Sequence, residues 1–398
     1  MADTGIIKKP FESPSERREM ISRFAEVLEN NKSFLVLGHK FPDEDCLASM
    51  VATALLIEKL NGHATLYLPG EIHEHFDYLL NICRYNSITV LRKPELADVY
   101  WDVIIICDTP KPDMIDCPEH ICSWINNNQA FVMEIDHHTG ADSVYAAPLE
   151  YALVDDASSA CELIGEIALY LESKSAIKEQ SVLPAIMTRN LVLALLTGIL
   201  GDSQMGKYFK SEKERNSYKL FSEMYNDILR RETTRSSNLS SIDELFAEMK
   251  RLSGEESSCF NFFRNHSSRD GFFHTIILSK EKSEQVFASY AYDTVISISR
   301  SMADSLSEES GFFGFISFYD RPDHSDFIQF RIRRSQKFKN FDLRKIIELF
   351  QIKNGGGHEG AIAFRIPRCE IDDINIFTGR IIQRISDEIK KITHKTGM

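Results

Sequence analysis

The chain has 398 residues, 46 Lys and Arg against 59 Asp and Glu, a formal net charge of −13 and 43% hydrophobic residues. This composition excludes a disordered or fibrous protein. It also argues against a coat for long nucleic acid, because phosphate backbones are held largely by Lys and Arg displacing counterions. A small anionic substrate stays compatible with an acidic chain wherever metal ions supply the positive charge.

At about 150 residues per domain the length predicts two or three domains. Residues 1–19 mix Lys, Glu, Pro and Ser without an apolar core. The longest apolar stretches, 103–107 and 191–200, fall short of the roughly 20 residues that span a bilayer. The expectation is a cytoplasmic chain without a membrane segment. Of the eight cysteines, Cys107 and Cys161 sit in apolar segments as reduced core thiols. Cys117 and Cys122, the close pair, have no second pair to complete a zinc site and read as loop or core residues.

In chain order, the apolar run 34–37 predicts a buried parallel strand, followed by a loop over 38–45 and a helix over 46–60 whose apolar residues recur at helical spacing. Further strands are predicted at 65–68, 102–107 and 131–135, and helices at 161–174, 182–201 and 211–231. This alternation predicts an α/β domain, a parallel sheet with helices on both faces, with sites outside the carboxyl ends of the strands. Residues 232–262 are rich in Ser, Thr and charge and read as a connector. Strands at 274–279, 311–319 and 326–333, with helices at 284–307 and 343–350, predict a smaller mixed α/β domain after it.

Candidate chemistry gathers at predicted strand ends. His39, Asp43 and Asp45 lie in the loop after the first strand; imidazole with hard carboxylate oxygens suits manganese or magnesium. Asp43 and Asp45 equally suit the N-cap and first turn of the helix that follows. Asp108 directly follows one buried strand and Asp136-His137-His138 another, while Asp202 follows an apolar helix, where it also suits a cap. Together they are enough for two metals sharing a carboxylate. In the second domain, Gly355-Gly356-Gly357-His358 either cradles an anion with backbone N–H groups or makes a turn. Arg331 and Arg333 share one face of a predicted strand, as a phosphate clamp or a solvated face. His73-Glu74-His75 reads as the start of a solvated helix rather than a further metal site.

The set His39-Lys40-Phe41-Pro42-Asp43-Glu44-Asp45, Asp108-Thr109, Asp136-His137-His138, 197–202 and Gly355-Gly356-Gly357-His358 resembles the DHH phosphoesterase superfamily. More narrowly it is similar to the two-domain branch with a DHH-associated C-terminal domain, which includes bacterial oligoribonuclease and pAp phosphatase enzymes (nanoRNases) and cyclic-di-AMP phosphodiesterases. The resemblance implies a DHH catalytic domain over 19–231, the connector over 232–262, a substrate-binding domain over 263–398 and a cleft between the domains.

It further implies two Mn²⁺ per chain, with Mg²⁺ or Co²⁺ as substitutes. His39, Asp43 and Asp108 would hold one ion and Asp45, Asp108, His137 and Asp202 the other. Asp136 would orient the histidine pair, and His138 would meet the scissile phosphate or protonate the leaving oxygen. Gly355, Gly356, Gly357, His358 and Arg333 would bind substrate. Glu44 and Ala48 depart from the family pattern, which commonly has Gly at both positions.

The implied activity is hydrolysis of short 5′-phosphorylated oligonucleotides such as pApA, and of pAp, with cyclic-di-AMP hydrolysis as the nearest rival. An inorganic pyrophosphatase and a nucleotide-binding module without turnover are the others. The expected partner is a small nucleotide, with neither long nucleic acid nor membrane, and a homodimer stays open.

Overall fold

The computed structural model describes residues 6–396 except 71, 93–99, 127–130, 141–142, 178–185, 204–208, 210, 232–238, 240 and 336; side chains at 120, 126, 175–177, 231, 358 and 390–396 are also outside the description. The chain forms two compact units, Met1–Arg251 and Leu252–Met398.

In the first unit α1 (Pro14–Asn30) precedes β1 (Ser33–Leu37), α2 (Glu44–Lys59), β2 (His63–Tyr67), α3 (Asp77–Tyr85), β3 (Thr89–Leu91), β4 (Val103–Cys107), α4 (Glu119–Asn126), β5 (Phe131–Asp136), β6 (Ala152–Val154), α5 (Ala160–Ile177), α6 (Arg189–Asp202), α7 (Glu212–Arg231) and α8 (Ile242–Met249). The six strands are parallel in the order β3-β2-β1-β4-β5-β6. All four expected strands are present. The unexpected two, β3 and β6, are three-residue edges, too short to show a period.

Side chains alternate across the sheet. Phe34, Val36, Val103 and Ile105 face a core shared with α2, α5 and α6, while Leu35, Leu37, Ile104 and Ile106 face Ile121 and Ile125 of α4. Burial on both faces is what a continuous apolar strand requires. Helix α2 is buried from Asp45 to Ile57, and α6, capped by Thr188, from Leu191 to Leu200; the two pack against each other. The expected start of the α6 helix at 182–185 lies outside the described residues. The order of the strands reverses between β1 and β4, so their carboxyl ends flank the switch point where open α/β sheets bind ligands. Among the described residues, no helix is long and apolar enough to cross a membrane.

Three expectations differ in detail. The segment 232–262 holds, among its described residues, α8 and most of α9 (Gly254–Arg264). Two of its serines are helix starts: Ser241 accepts the Glu244 N–H, and Ser253 forms a capping box with Glu256. Residues 232–238 and 240 lie outside the description. Cys117 and Cys122 form a disulfide, with Cα atoms 6.0 Å apart.

The third difference lies in the second unit. There β7 (Ser267–Asp270), β8 (Phe273–Ile277), α10 (Lys280–Ser289), α11 (Tyr292–Ser310), β9 (Phe313–Tyr319), β10 (Phe327–Arg334), α12 (Arg344–Leu349), β11 (Asn354–His358), β12 (Ala361–Pro367) and α13 (Ile374–Thr396) follow α9. The single helix expected over 284–307 is α10 and α11, separated where Tyr290 is extended and Ala291 N–H is held by Glu255. The mixed sheet has the order β11-β12-β10-β9-β8-β7, with β8 and β9 parallel. One face packs Phe330, Phe364 and Ile381 and the other Val286, Met302 and Phe318.

Candidate metal centre

The ends of β1, β4 and β5 each aim a side chain at one place. Helix α2 begins where Asp43 caps it, its Oδ1 accepting the Cys46 N–H at 3.1 Å, so the capping reading of Asp43 holds alongside the ligand reading. Asp45, in the first turn, is fully buried, and its oxygens accept the Ala160 N–H at 2.6 Å and the Cys161 N–H at 3.1 Å. These donors are the amino end of α5, which favours an anion. Glycines make room for this approach. A β-carbon at Gly198 would overlap Asp45 Oδ1, and one at Gly201 would overlap the Cβ of Glu44.

Asp108 sits at the centre, 1% exposed. Its φ of +45° is left-handed backbone, a conformation costly for a non-glycine residue and tolerated best by Asn and Asp. The turn places its carboxylate 3.8 Å from His39 Nε2 and 3.4 Å from His137 Nε2. His39 Nε2 is also 3.8 Å from Asp43 Oδ1, and His137 Nε2 lies 2.9 Å from Asp202 Oδ2 and 3.9 Å from Asp45 Oδ2. The structure thus brings together all six expected ligands: His39, Asp43, Asp45, Asp108, His137 and Asp202.

Three further observations fit these residues to divalent cations. Potential ligand atoms lie within 4.8 Å of one another in each of three groups: Asp108 with Asp136, His137 and His138; His39 with Cys46 and Asp108; and Asp45 with His137 and Asp202. Asp108 Oδ1 and His137 Nε2 are buried without a hydrogen bond among the described residues, a costly state unless a cation meets these atoms. The His137 Nδ1 lies 3.3 Å from the Ala157 carbonyl, which as acceptor leaves Nε2 as the ligand atom.

The electrostatics agree. Burial, then Asp108 and Asp202, pushes Asp45 well above the usual carboxylate range. Burial would lower His137, but Asp108 and Asp202 raise it well above its ordinary value. A metal-free centre keeps protons where cations would sit.

Asp136 behaves differently. Its Oδ1 accepts His138 Nδ1 at 2.8 Å and the backbone N–H groups of His137 and His138 at 2.8 and 3.2 Å. Burial raises its pKa, but His138 and Lys8 outweigh that and hold it down to about 2. His138 is 37% exposed and keeps Nε2 for another partner.

The residues read as one motif elsewhere divide. The glycine run is not a loop but β11, paired antiparallel with β12 from Asn354↔Arg365 to His358↔Ala361. A β-carbon at Gly357, whose φ is +138°, would overlap the Ala361 carbonyl. Glycine is needed there for close strand pairing. The His358 side chain lies outside the description. Arg333 pairs with Asp304 at 3.2 Å. Arg331 is 6% exposed, donates to Ser299 Oγ at 2.9 Å and has no carboxylate within ion-pair distance among the described residues. Burial, with Arg300 and Arg333 nearby, pushes it down to about 10.

Sequence reasoning passed over Cys46, Lys8 and Glu134. Cys46 fills the space against Gly38, and burial pushes its thiol well up, so it is a neutral packing residue. His73 and His75 face each other, their Nδ1 atoms 2.6 Å apart, and join none of the three ligand groups.

Residues 33–199 match the DHH family, N-terminal domain, a segment holding every expected ligand except Asp202. The chain is 27% identical over 192 residues to the cyclic-di-AMP phosphodiesterase PdeA of Listeria monocytogenes serotype 1/2a (strain 10403S), covering 46% of this chain and 28% of that protein. It is 23% identical over 200 residues to the cyclic-di-AMP phosphodiesterase GdpP of Bacillus subtilis (strain 168), covering 48% of this chain and 30% of that protein. The match therefore spans less than a third of either relative's length. Among solved structures, an exopolyphosphatase-related protein from Bacteroides fragilis shares the fold, with a TM-score of 0.63 and 14% identity over 94% of this chain and 97% of that one.

Proposed function

We propose that this chain, a member of the DHH family through its domain at residues 33–199, is a divalent-metal-dependent phosphoesterase that hydrolyses short 5′-phosphorylated oligonucleotides such as pApA, and pAp, to mononucleotides. One observation carries the reading: Asp108, a buried carboxylate in left-handed backbone, stands between His39 and His137 with carboxylates beyond each. That is the donor arrangement two cations share.

His39, Asp43 and Asp108 would hold one ion and Asp45, Asp108, His137 and Asp202 the other; imidazole with carboxylate suits Mn²⁺, with Mg²⁺ or Co²⁺ as substitutes. Bound there, the ions would supply a water nucleophile near neutral pH and positive charge for the phosphoryl oxygens. His138, its Nδ1 held by Asp136, is placed to exchange a proton with the leaving oxygen through Nε2. In the second unit Arg331 is assigned to a substrate phosphate ahead of Arg333, because Arg333 already has Asp304 and a buried guanidinium without a carboxylate favours an anion. Gly355, Gly356, Gly357 and His358 complete that subsite. The assigned partner is a small nucleotide, since the acidic balance disfavours long nucleic acid.

A second reading, cyclic-di-AMP hydrolysis, is favoured by the two relatives, both named for that activity. Both readings are tested by chromatography of products after incubation with Mn²⁺ and, separately, pApA, pAp, cyclic-di-AMP and pyrophosphate, with and without EDTA. EDTA-sensitive AMP from pApA, faster than turnover of cyclic-di-AMP, supports the first. Preferential opening of cyclic-di-AMP selects the second, and turnover of none of them overturns both.

A further inference from the structure

We propose that Lys8 is a positioning residue that acts through Asp136 to hold His138 in its working orientation; the reaction it serves is the phosphoester hydrolysis proposed above. Lys8 lies ahead of residue 33, where the family domain begins. Its side chain is fully buried. The ammonium donates to the Thr109 carbonyl at 2.6 Å, pairs with Glu134 Oε1 at 2.5 Å and pairs with Asp136 Oδ2. Two of its protons thus meet the Thr109 carbonyl and Asp136 Oδ2, and Glu134 Oε1 lies beside it as an ion-pair partner.

The Asp136 carboxylate is divided between two duties. Oδ2 takes Lys8, while Oδ1 takes His138 Nδ1 and the two backbone N–H groups that follow. With Oδ2 anchored, rotation of the carboxylate is blocked and Oδ1 stays aimed at the imidazole. That bond holds a proton at Nδ1 and leaves Nε2 free. Lys8 also ties the residue after Asp108, through the Thr109 carbonyl, to the strand end that carries Asp136. The ends of β4 and β5 are thereby held in register at the site.

Backbone pairing delivers the ammonium to this place. Lys8 N–H donates to the Ser143 carbonyl at 2.9 Å and Tyr145 N–H to the Ile6 carbonyl at 3.2 Å, with Ile7 bridged to Val144. The segment before α1 is therefore tied by an antiparallel bridge to the chain that follows His138. Glu134 acts as the balancing charge, its Oε2 accepting the Ala146 and Ala147 N–H groups. A buried ammonium with two carboxylates carries a large desolvation cost, and an apolar side chain would fill the same space. Its charge is accounted for by what it holds in place.

The test uses Lys8→Met and the double variant Lys8→Met/Glu134→Gln, which removes one charge of each sign and spares the fold an unpaired Glu134 if the single variant does not fold. The double variant is expected to melt within a few degrees of wild type and to bind Mn²⁺ by calorimetry within about threefold. Its kcat should nevertheless fall by about 10–100-fold at constant KM, the range for removing support from a proton-transfer group. Long-range ¹H–¹⁵N spectra of the metal-free protein, with His138 assigned by its substitution, should show loss of the single Nδ1–H form. A folded double variant with kcat within twofold of wild type, an unchanged His138 tautomer, or an Mn²⁺ affinity that falls as far as kcat would overturn the proposal. Absence of turnover in the wild type defeats the hydrolysis reading, while the His138 spectra still decide whether Lys8 positions the ring.

Discussion

Gly198 of α6 lies directly against the Asp45 carboxylate of α2, so closely that a β-carbon at the glycine would overlap Asp45 Oδ1 and the Cys161 side chain. Asp45 cannot retreat, because the Ala160 and Cys161 N–H groups hold its oxygens. Alanine is favoured over glycine within a helix by about 1 kcal/mol, so propensity alone predicts a stabilised Gly198→Ala. The expected outcome is the opposite, a loss of about 1–3 kcal/mol from overpacking, with Mn²⁺ affinity reduced about tenfold or more. Denaturant unfolding and titration calorimetry check both.

Asp108→Asn keeps a residue tolerant of φ near +45° and removes the charge. Turnover should fall by about a thousandfold or more, as expected when a shared metal ligand is lost, and metal content by elemental analysis should fall with it. In EDTA the variant should melt at the wild-type temperature or above, because burial, with Asp43 and Asp136 nearby, outweighs His137 and makes the Asp108 charge a net cost without metal. Retained turnover, or a lower melting temperature in EDTA, would count against this account.

The metal-free protein should be more stable at pH 5.5 than at pH 8. Burial raises Asp45 well above its ordinary value and raises Glu44 to about 7. The unfolded chain releases these protons from about pH 4 but the folded chain retains them, so stability falls as pH rises. His137 has the same sign: raised in the fold, its contribution is present below the ordinary histidine value and is lost as pH rises through the raised one. Mn²⁺ replaces the protons and should flatten or reverse the slope. Melting scans in EDTA and in Mn²⁺ across this range test it; a melting temperature that climbs with pH in EDTA would refute the assignment.

Arg331 and Arg333 should separate kinetically. Arg331→Gln leaves a phosphate without its charged partner and is expected to raise KM by about tenfold or more, the worth of one charge-assisted hydrogen bond. Arg333→Gln disturbs the pair with Asp304, which is 33% exposed, and should change KM less than threefold. Steady-state kinetics on pApA distinguish them, and the reverse order would return the assignment to Arg333.

Much of the candidate metal centre was legible in the chain because three of its candidate ligands follow buried strands. The runs 34–37 and 103–107 are apolar without interruption, which marks strands covered on both faces, and parallel strands bring their carboxyl ends to one edge. His39, Asp108 and His137 could be grouped before any coordinate was known. The serines at 241 and 253 misled for a physical reason: a capping serine and a linker serine have the same composition, and only the N–H groups they accept distinguish them.

By itself, then, the sequence determined the α/β layering, the six candidate ligands and the resemblance they carry, since these rest on short-range pattern and strand direction. The tertiary structure decided what depends on distant parts of the chain meeting. Lys8 reaches Asp136 across 128 positions, Gly198 makes room for Asp45, and Asp304 engages Arg333 while leaving Arg331 to Ser299. A side chain's charge is visible in sequence, but its partner is not, because burial and pairing arise only when separate elements close around the same point.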